Sequence, residues 1–335
     1  MSIADLIEAA RDPLSAADTT TLFDSILAGQ VGESDLTIYL SATADRKPTV
    51  DELVGAVTSM RKHMHPVVAP AGAIDLCGTG GDGLGTLNIS TAVSFVVAAL
   101  GVSVAKHGNR SASSRSGAAD TLEAMGVRLN QTPDAASQML RDTGMAFLFA
   151  QTHHPAMRHA ATARRQIGRR TIFNLLGPLA NPAGVTRQLV GVFSADWLIP
   201  YAQALNALGS KHAWIVHGDD GLDEISISGP SQVAVLKDGM ITQMQITPED
   251  AGLQRQPLRE LLGGDAHHNA DALRLLLDSH GLAAYHAIIT LNSAAALIVA
   301  DKARDLREGA QMADAAIRDG RARAMFEKFL TASNA

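Results

Sequence analysis

The sequence predicts an α/β protein: a small all-helical N-terminal domain, then a large α/β domain with a mostly parallel central sheet covered by helices. Three observations predict it. Residues 1–66 carry apolar positions at helical spacing and helix-capping signals, with no strand pattern. From residue 73, short apolar runs alternate with helical stretches, the rhythm of parallel strands joined by crossovers. A chain of 335 residues, 46% of them hydrophobic, is long enough to bury one large or two unequal cores.

In the first part, Ser15 can cap a helix running to Gly29, and Gly32-Glu33-Ser34 opens another. Thr49-Val50-Asp51-Glu52 reads as a capping box, because Thr49 and Glu52 can satisfy each other's orphan amides. Leu53, Val57 and Met60 follow at helical spacing, and Pro66 and Pro70 mark a linker. Strands are expected at 73–77, 102–105, 145–150, 189–193 and 213–217, separated by helices at 90–100, 116–125, 133–143 and 196–208. After Glu224, residues 225–228, 232–236 and 241–246 alternate like antiparallel strands, with Lys237-Asp238-Gly239 as a hairpin turn. Residues 268–331 return to helix, the most apolar stretch (282–300) being interrupted by His286, Asn292 and Ser293 and so a buried helix rather than a membrane span. The segment 154–182 fits the α/β rhythm poorly. It is expected to leave the sheet and pack on the N-terminal helices, so that the small domain comprises 1–66 with part of 154–182 and the large one 73–331.

Composition narrows the function. A net charge of −6 and a pI near 6.0 argue against a general nucleic-acid partner. Aromatic residues make up only 4%, too few for base-stacking platforms. One cysteine, Cys77, excludes an internal disulfide, suits a reducing compartment and reads as a small core residue. The start, Met1-Ser2-Ile3-Ala4-Asp5, lacks a basic and an apolar region of the secretory type, so a cytoplasmic location is expected.

The most informative stretch is an apolar run, 73–77, ending in Gly78-Thr79-Gly80-Gly81-Asp82-Gly83, after which Ser90 or Thr91 is expected to cap a strongly apolar helix. Glycines let the backbone approach a ligand, and a helix N-terminus adds free amides and a positive dipole end. Together they form an anion cradle, most plausibly for phosphate. Gly78-x-Gly80-x-x-Gly83 matches the dinucleotide fingerprint literally, but that fold needs an acidic residue ~20 positions on. Here the next strand ends in Lys106, and no Gly-Lys-Ser/Thr is present for a P-loop.

A second loop, Lys106-His107-Gly108-Asn109-Arg110-Ser111-Ala112-Ser113-Ser114, lies at the carboxyl end of the next strand, where open parallel sheets place ligands. Its cations and hydroxyls suit phosphate oxygens, and two such loops side by side suit a ligand with more than one phosphate. The plainer reading is a basic surface loop with a helix cap. Asp219-Asp220-Gly221-Leu222-Asp223-Glu224 follows a further strand; carboxylates beside a phosphate ligand suit Mg²⁺, though Asp and Gly are also ordinary turn residues. Among Arg164, Arg165, Arg169 and Arg170, one facing the cleft could hold a carboxylate substrate in a bidentate fork. His153 and His154 read as packing or hydrogen-bonding residues, since no spaced Cys/His set accompanies them.

Taken in order, 78–82, Asn88-Ile89-Ser90-Thr91, 106–110, Arg164, Asn174-Leu175-Leu176-Gly177-Pro178-Leu179-Ala180-Asn181-Pro182 and Asp223-Glu224 closely resemble the anthranilate phosphoribosyltransferases, along nearly the whole chain. The resemblance implies transfer of the phosphoribosyl group of 5-phosphoribosyl 1-diphosphate to the amino group of anthranilate, releasing pyrophosphate, in tryptophan synthesis. It implies the nucleoside-phosphorylase-like fold, Mg²⁺ as cofactor, and a homodimer through the helical domain, with neither nucleic acid nor membrane as partner. It further implies that Gly78, Gly81 and Asp82 hold the sugar diphosphate, that Thr86, Asn88, Ile89, Ser90 and Thr91 line its phosphate side, and that Lys106, His107, Gly108, Asn109, Arg110, Ser111, Ala112, Ser113, Ser114 and Ala118 close over it. Ser90, Asp223 and Glu224 would hold the metal. Gly78, Asn109 and Arg164 would contact anthranilate, with His107, His154 and Pro178 near its path; Lys106, Asn109 and Arg164 would act by charge and position, with no acid–base residue. The family usually carries Val-x-Pro-Val-Arg before the matching arginine; here the stretch is Ala160-Ala161-Thr162-Ala163-Arg164, so the arginine is kept while its support changes. A pyrimidine nucleoside phosphorylase of the same architecture would need a different second loop. A nucleic-acid-binding relative would need a basic face and damaged diphosphate loops.

Overall fold

A computed structural model describes residues 1–111 and 115–335. The chain opens with helices α1 (Ile3–Ala9), α2 (Ala16–Leu27), α3 (Glu33–Arg46) and α4 (Val50–His63). Ser15 caps α2, its hydroxyl accepting the Asp18 amide at 3.1 Å, and the Thr49/Glu52 capping box opens α4 as its sequence requires.

Strand β1 (Ile74–Gly78) then leads through the glycine loop into α5 (Ile89–Ala99). Next come β2 (Val104–Gly108), α6 (Ala118–Ala124), α7 (Pro133–Thr143), β3 (Met145–Phe149), α8 (Ala150–His153), α9 (Ala161–Ile167), α10 (Phe173–Leu179), β4 (Arg187–Gly191), α11 (Leu198–Ala207) and β5 (His212–Gly218). A hairpin of β6 (Ser231–Lys237) and β7 (Met240–Ile246) follows, then α12 (Ala266–Leu277), α13 (Ala283–Val299), α14 (Leu306–Arg318) and α15 (Arg321–Asn334). The described strands form one seven-stranded sheet in the order β3-β2-β1-β4-β5-β6-β7. The first five are parallel and the last two antiparallel. The hairpin turn is the expected one, with Asp238 at φ 48° and Gly239 at φ 83°.

Alternation along the strands feeds two cores. Leu76, Leu189, Trp214 and Val216 face one side, under α5, α13, α14 and α15. Cys77, Val190, Ala213 and Ile215 face the other, packed with α11, α10 and the N-terminal helices, and Phe173 lies 5.5 Å from Phe23 between ring centroids. The 154–182 excursion is tied to the N-terminal helices at their surface too, by the Arg169–Asp45 ion pair at 2.7 Å. Among the described residues no helix is long and apolar enough to cross a membrane.

Two sequence expectations need correction. Residues 225–228 form no strand: Asn292 on buried α13 donates to the Ile225 carbonyl at 2.9 Å and accepts its amide at 3.0 Å. A side chain thus replaces the ladder that the alternation suggested. The N-cap of α5 is Asn88, not Ser90 or Thr91, and its side chain makes no capping bond because it is engaged elsewhere.

Candidate active site

The carboxyl ends of the parallel strands β1, β2, β4 and β5 lie along one edge of the sheet. Gly80, Gly81, Gly83 and Gly85 all have positive φ, between 63° and 81°, so the loop after β1 could not take this path with side chains at those positions. Its return leg is braced by residues that the sequence reading did not single out. The Leu87 amide donates to Leu261 O and the Gly263 amide to Gly85 O, each at 2.8 Å, while Thr86 forms an isolated bridge with Leu262.

The loop after β5 supplies the acidic pair. Asp223 Oδ2 accepts the Gly80 amide at 2.9 Å, and Glu224 Oε1 accepts the Ser90 amide at the start of α5 at 3.1 Å. The acidic pair therefore reaches both the glycine loop and the helix N-terminus. Gly191 at the end of β4 makes this possible: a Cβ there would lie 1.5 Å from the Asp223 carbonyl oxygen. Burial, with the nearby Asp82 carboxylate, pushes Asp223 up to about 7. Burial, with Asp223 beside it, pushes Glu224 up to about 8. Crowded, desolvated oxygen donors of one sign fit a hard divalent cation, whose charge would relieve that cost. Among the described residues no cluster of three or more His, Cys, Asp or Glu is arranged to hold a metal.

Lys106 is 2% exposed, and its ammonium donates to Ser90 Oγ at 3.1 Å and to Leu76 O at 2.5 Å. Thr91 Oγ1 is buried and has no partner among the described residues, and Ile89 is buried. Asn88 is a hub: Oδ1 accepts Asn269 Nδ2 at 2.9 Å and also the Thr121 hydroxyl, and its carbonyl accepts the Tyr285 hydroxyl at 3.1 Å. The anchors on α12 and α13 were not legible, lying 181 and 197 residues away.

Gly108 is packed so closely that a Cβ would meet the Phe147 ring at 2.6 Å. Asn109 and Arg110 are exposed at the turn. Arg110 is committed to Asp120 at 2.9 Å and Glu123 at 2.8 Å, and Asp120 also accepts the Ser111 amide at 3.0 Å. Ala118 begins α6 beside this turn. Ala112, Ser113 and Ser114 lie outside the described residues.

The excursion lines the other side. His107 Nδ1 donates to Gly177 O at 3.0 Å, leaving Nε2 buried and without a partner among the described residues. Burial, and then the His154 ring 5.1 Å away, holds His107 well below the ordinary histidine range. His154 Nε2 donates to Ala180 O at 2.9 Å, and burial brings its pKa to about 4. Both rings are therefore neutral at pH 7. Pro178 is buried in α10, its carbonyl accepting Gln188 Nε2 at 2.7 Å. Arg164 lies over the Phe173 ring at 5.3 Å, its guanidinium forming no hydrogen bond or ion pair with the described residues. Ala160 and Ala163 before it are buried, so small apolar side chains seat this helix where the usual family stretch has bulkier ones. Arg170, left open by the sequence reading, stacks on Phe193 at 4.2 Å and donates to Gly81 O, joining the excursion to the glycine loop.

A helical bundle joined to an α/β unit is the pair of parts that describes a glycosyl transferase family. The family model described as "Glycosyl transferase family, helical bundle domain" matches residues 3–64, and "Glycosyl transferase family, a/b domain" matches 71–323. The chain is 54% identical over 321 residues to the anthranilate phosphoribosyltransferase of Beijerinckia indica, covering 96% of this chain and 94% of that protein. It is 51% identical over 322 residues to that of Rhodopseudomonas palustris, covering 96% and 95%. The solved enzyme of Thermus thermophilus superposes with a TM-score of 0.93 at 38% identity, over 99% of this chain and 100% of that one. The Saccharomyces cerevisiae enzyme, solved in complex with PRPP and Mg, gives 0.90 at 26% identity, over 99% and 96%. The chain belongs to the anthranilate phosphoribosyltransferase family.

Proposed function

We propose that this protein transfers the phosphoribosyl group of 5-phosphoribosyl 1-diphosphate to the amino group of anthranilate, giving N-(5-phosphoribosyl)anthranilate and pyrophosphate, in tryptophan biosynthesis. One observation carries the reading: the acidic pair accepts an amide from the glycine loop and another from the start of α5, so charge, anion cradle and helix dipole address one volume.

In this reading the backbone of Gly78, Gly81 and Asp82, the residues from Thr86 to Thr91, and the turn beginning at Lys106 hold the diphosphate. Gly78, Asn109 and Arg164 take the acceptor, the Arg164 fork receiving its carboxylate. Asp223 and Glu224, with Ser90, would hold Mg²⁺, which when bound would supply positive charge to offset that developing on the leaving diphosphate. An aromatic amine is neutral at pH 7, so its lone pair needs no base to free it. Nitrogen forms the bond to C1 as the C1–oxygen electron pair departs with the diphosphate, and the nitrogen then loses one proton. The barrier is charge separation at the sugar, so the chain works by position and electrostatics. Lys106 places its amine at the cradle, donating to Ser90 Oγ, and the neutral rings of His107 and His154 add no cation on the acceptor side.

We further propose the two-domain division 1–66 with part of 154–182 and 73–331, and pairing of two copies through the helical part. There Ile38 is 54% exposed beside Ile7, Arg11 and Ala42 between α1 and α3. Sedimentation of the wild type and of Ile38→Asp tests the pairing. The activity is tested by loss of anthranilate fluorescence in the presence of the sugar diphosphate and Mg²⁺. No loss under those conditions, with uracil or thymidine cleavage in its place, would overturn the assignment.

A further inference from the structure

The seam between β1 and β2 is unlike its neighbours. β1 and β4 stay in register over five pairs, and so do β2 and β3, whereas β1 and β2 are in register only at Ile74 and Val104. Beyond that point side chains take the backbone groups. The His107 amide donates to Asp75 Oδ1 at 3.0 Å, the Leu76 carbonyl accepts Lys106 Nζ at 2.5 Å, and the Ala105 carbonyl accepts Asn181 Nδ2 at 2.8 Å. Asp75 is fully buried, and its second oxygen takes the Cys77 thiol at 3.4 Å. A buried carboxylate inside a sheet is costly unless it is paired and hydrogen-bonded. Lys106 offers the opposite charge nearby, and the acceptor role towards His107 meets the second need.

We propose that Asp75 is a positioning residue for the transfer reaction: with Lys106 and Asn181 it wedges β1 and β2 apart at their carboxyl ends and sets the spacing between the glycine loop and the 106–110 turn. An unbroken ladder would hold the two strands about 4.8 Å apart along their whole length, whereas here side-chain bonds set their carboxyl ends and the start of the two loops that follow. The wedge also aims the Lys106 ammonium at Ser90 rather than into the sheet. This inference rests on the proposed reaction and adds to it a residue outside the substrate-contacting set.

The test compares wild type, Asp75→Asn and Asp75→Ala by steady-state kinetics with each substrate varied, by calorimetric titration with phosphoribosyl diphosphate and Mg²⁺, and by thermal melting. Asparagine keeps an acceptor for the His107 amide but no charge; alanine keeps neither. Expected are a KM for the sugar diphosphate raised at least tenfold in alanine, a smaller rise in asparagine, and an anthranilate KM within twofold of wild type in both. Should the Asp75 variants not fold, Asn181→Ala removes the bonds to the Ala105 carbonyl, the Ala183 amide and the Asp75 carboxyl while deleting no charge, and is expected to show the same one-sided rise. Equal effects on both substrates, or a folded alanine variant with an unchanged donor KM, would overturn the proposal. A wild type that binds the donor but transfers nothing to anthranilate would instead remove the reaction itself.

Discussion

The Gly80 amide and the Asp223 carboxylate are hydrogen-bonded at 2.9 Å although 143 residues of chain separate them. A loop of four positive-φ glycines has little conformational preference of its own, so its shape is set from outside, by Asp223 at one end and the 261–263 segment at the other. The residues proposed as metal donors thus also shape the anion cradle. Asp223→Asn combined with Glu224→Gln is expected to lower turnover at least ~10-fold, the lower end of what loss of even an outer partner costs a metal site. The Mg²⁺ concentration for half-maximal rate should rise in parallel. An unchanged metal dependence would remove both residues from the metal role.

Gly78 and Gly191 both abut Asp223 but predict different outcomes. A Cβ on Gly78 would stand 2.7 Å from Asp223 Oδ2, the end of a side chain that can rotate. Gly78→Ala should fold with a melting temperature close to wild type while weakening Mg²⁺-dependent turnover. A Cβ on Gly191 would meet the Asp223 carbonyl at 1.5 Å, where only backbone movement relieves the clash. Gly191→Ala should cost ~3 kcal/mol or more in stability, read by denaturant unfolding. Matching behaviour of the two variants would contradict this division.

Arg164 is held by its ring contact with Phe173, and burial lowers its pKa from the usual arginine range. A half-buried guanidinium without an acidic partner among the described residues is suited to receive one from a ligand. Arg164→Ala should lose a charge-assisted bond of about 1.5–3 kcal/mol, roughly 10- to 150-fold in the anthranilate KM. The sugar-diphosphate KM should stay near wild type. Arg164→Lys should recover only part, because an ammonium cannot reproduce a bidentate fork. Equal shifts in both KM values would take Arg164 out of the acceptor site.

What was legible in the sequence was whatever depends on neighbours along the chain. The Thr49/Glu52 box, the Asp238-Gly239 turn, the glycine loop and the alternation of strands and helices are local, and each forms where its residues demand. What was not legible depends on groups brought together by the fold. Asn292 satisfies the backbone at Ile225, so alternation there mimicked a strand. Asn88 carries the ordinary signature of a helix cap, yet its oxygen serves Thr121 and Asn269. Asp75 looks like a polar interruption of an apolar strand, and its bond to the His107 amide, where the β1/β2 register is partial, depends on a residue 32 positions away. Arg110, read as a donor-loop cation, faces Asp120 and Glu123 on the helix that follows it.

The helical part carries its own pH-dependent element in Arg46 and Glu52. Glu52 is fully buried, yet Oε2 accepts Arg46 Nη1 and the Thr49 amide, each at 2.8 Å, and Oε1 accepts the Leu14 amide at 3.3 Å and a second Arg46 bond. Burial alone would raise its pKa, but these donors outweigh burial and hold it below the ordinary glutamate value. Because the folded carboxyl ionises more readily than the unfolded one, ionisation favours the fold. The contribution is complete above the unfolded value of ~4.3 and is lost as pH falls through the folded value. Glu52→Gln should therefore cost about 3 kcal/mol near neutral pH, where the wild-type pair is intact, since breaking a buried pair leaves its partner uncompensated. As pH falls from ~4.3 through the lower folded value the two proteins should converge, because only there does the wild type lose the same charge. Urea unfolding at pH 7 and in steps from the unfolded value of ~4.3 downward, as far as the wild type stays folded, reads both effects, and a difference that does not shrink over the acid steps would mean that Glu52 acts by shape rather than by charge.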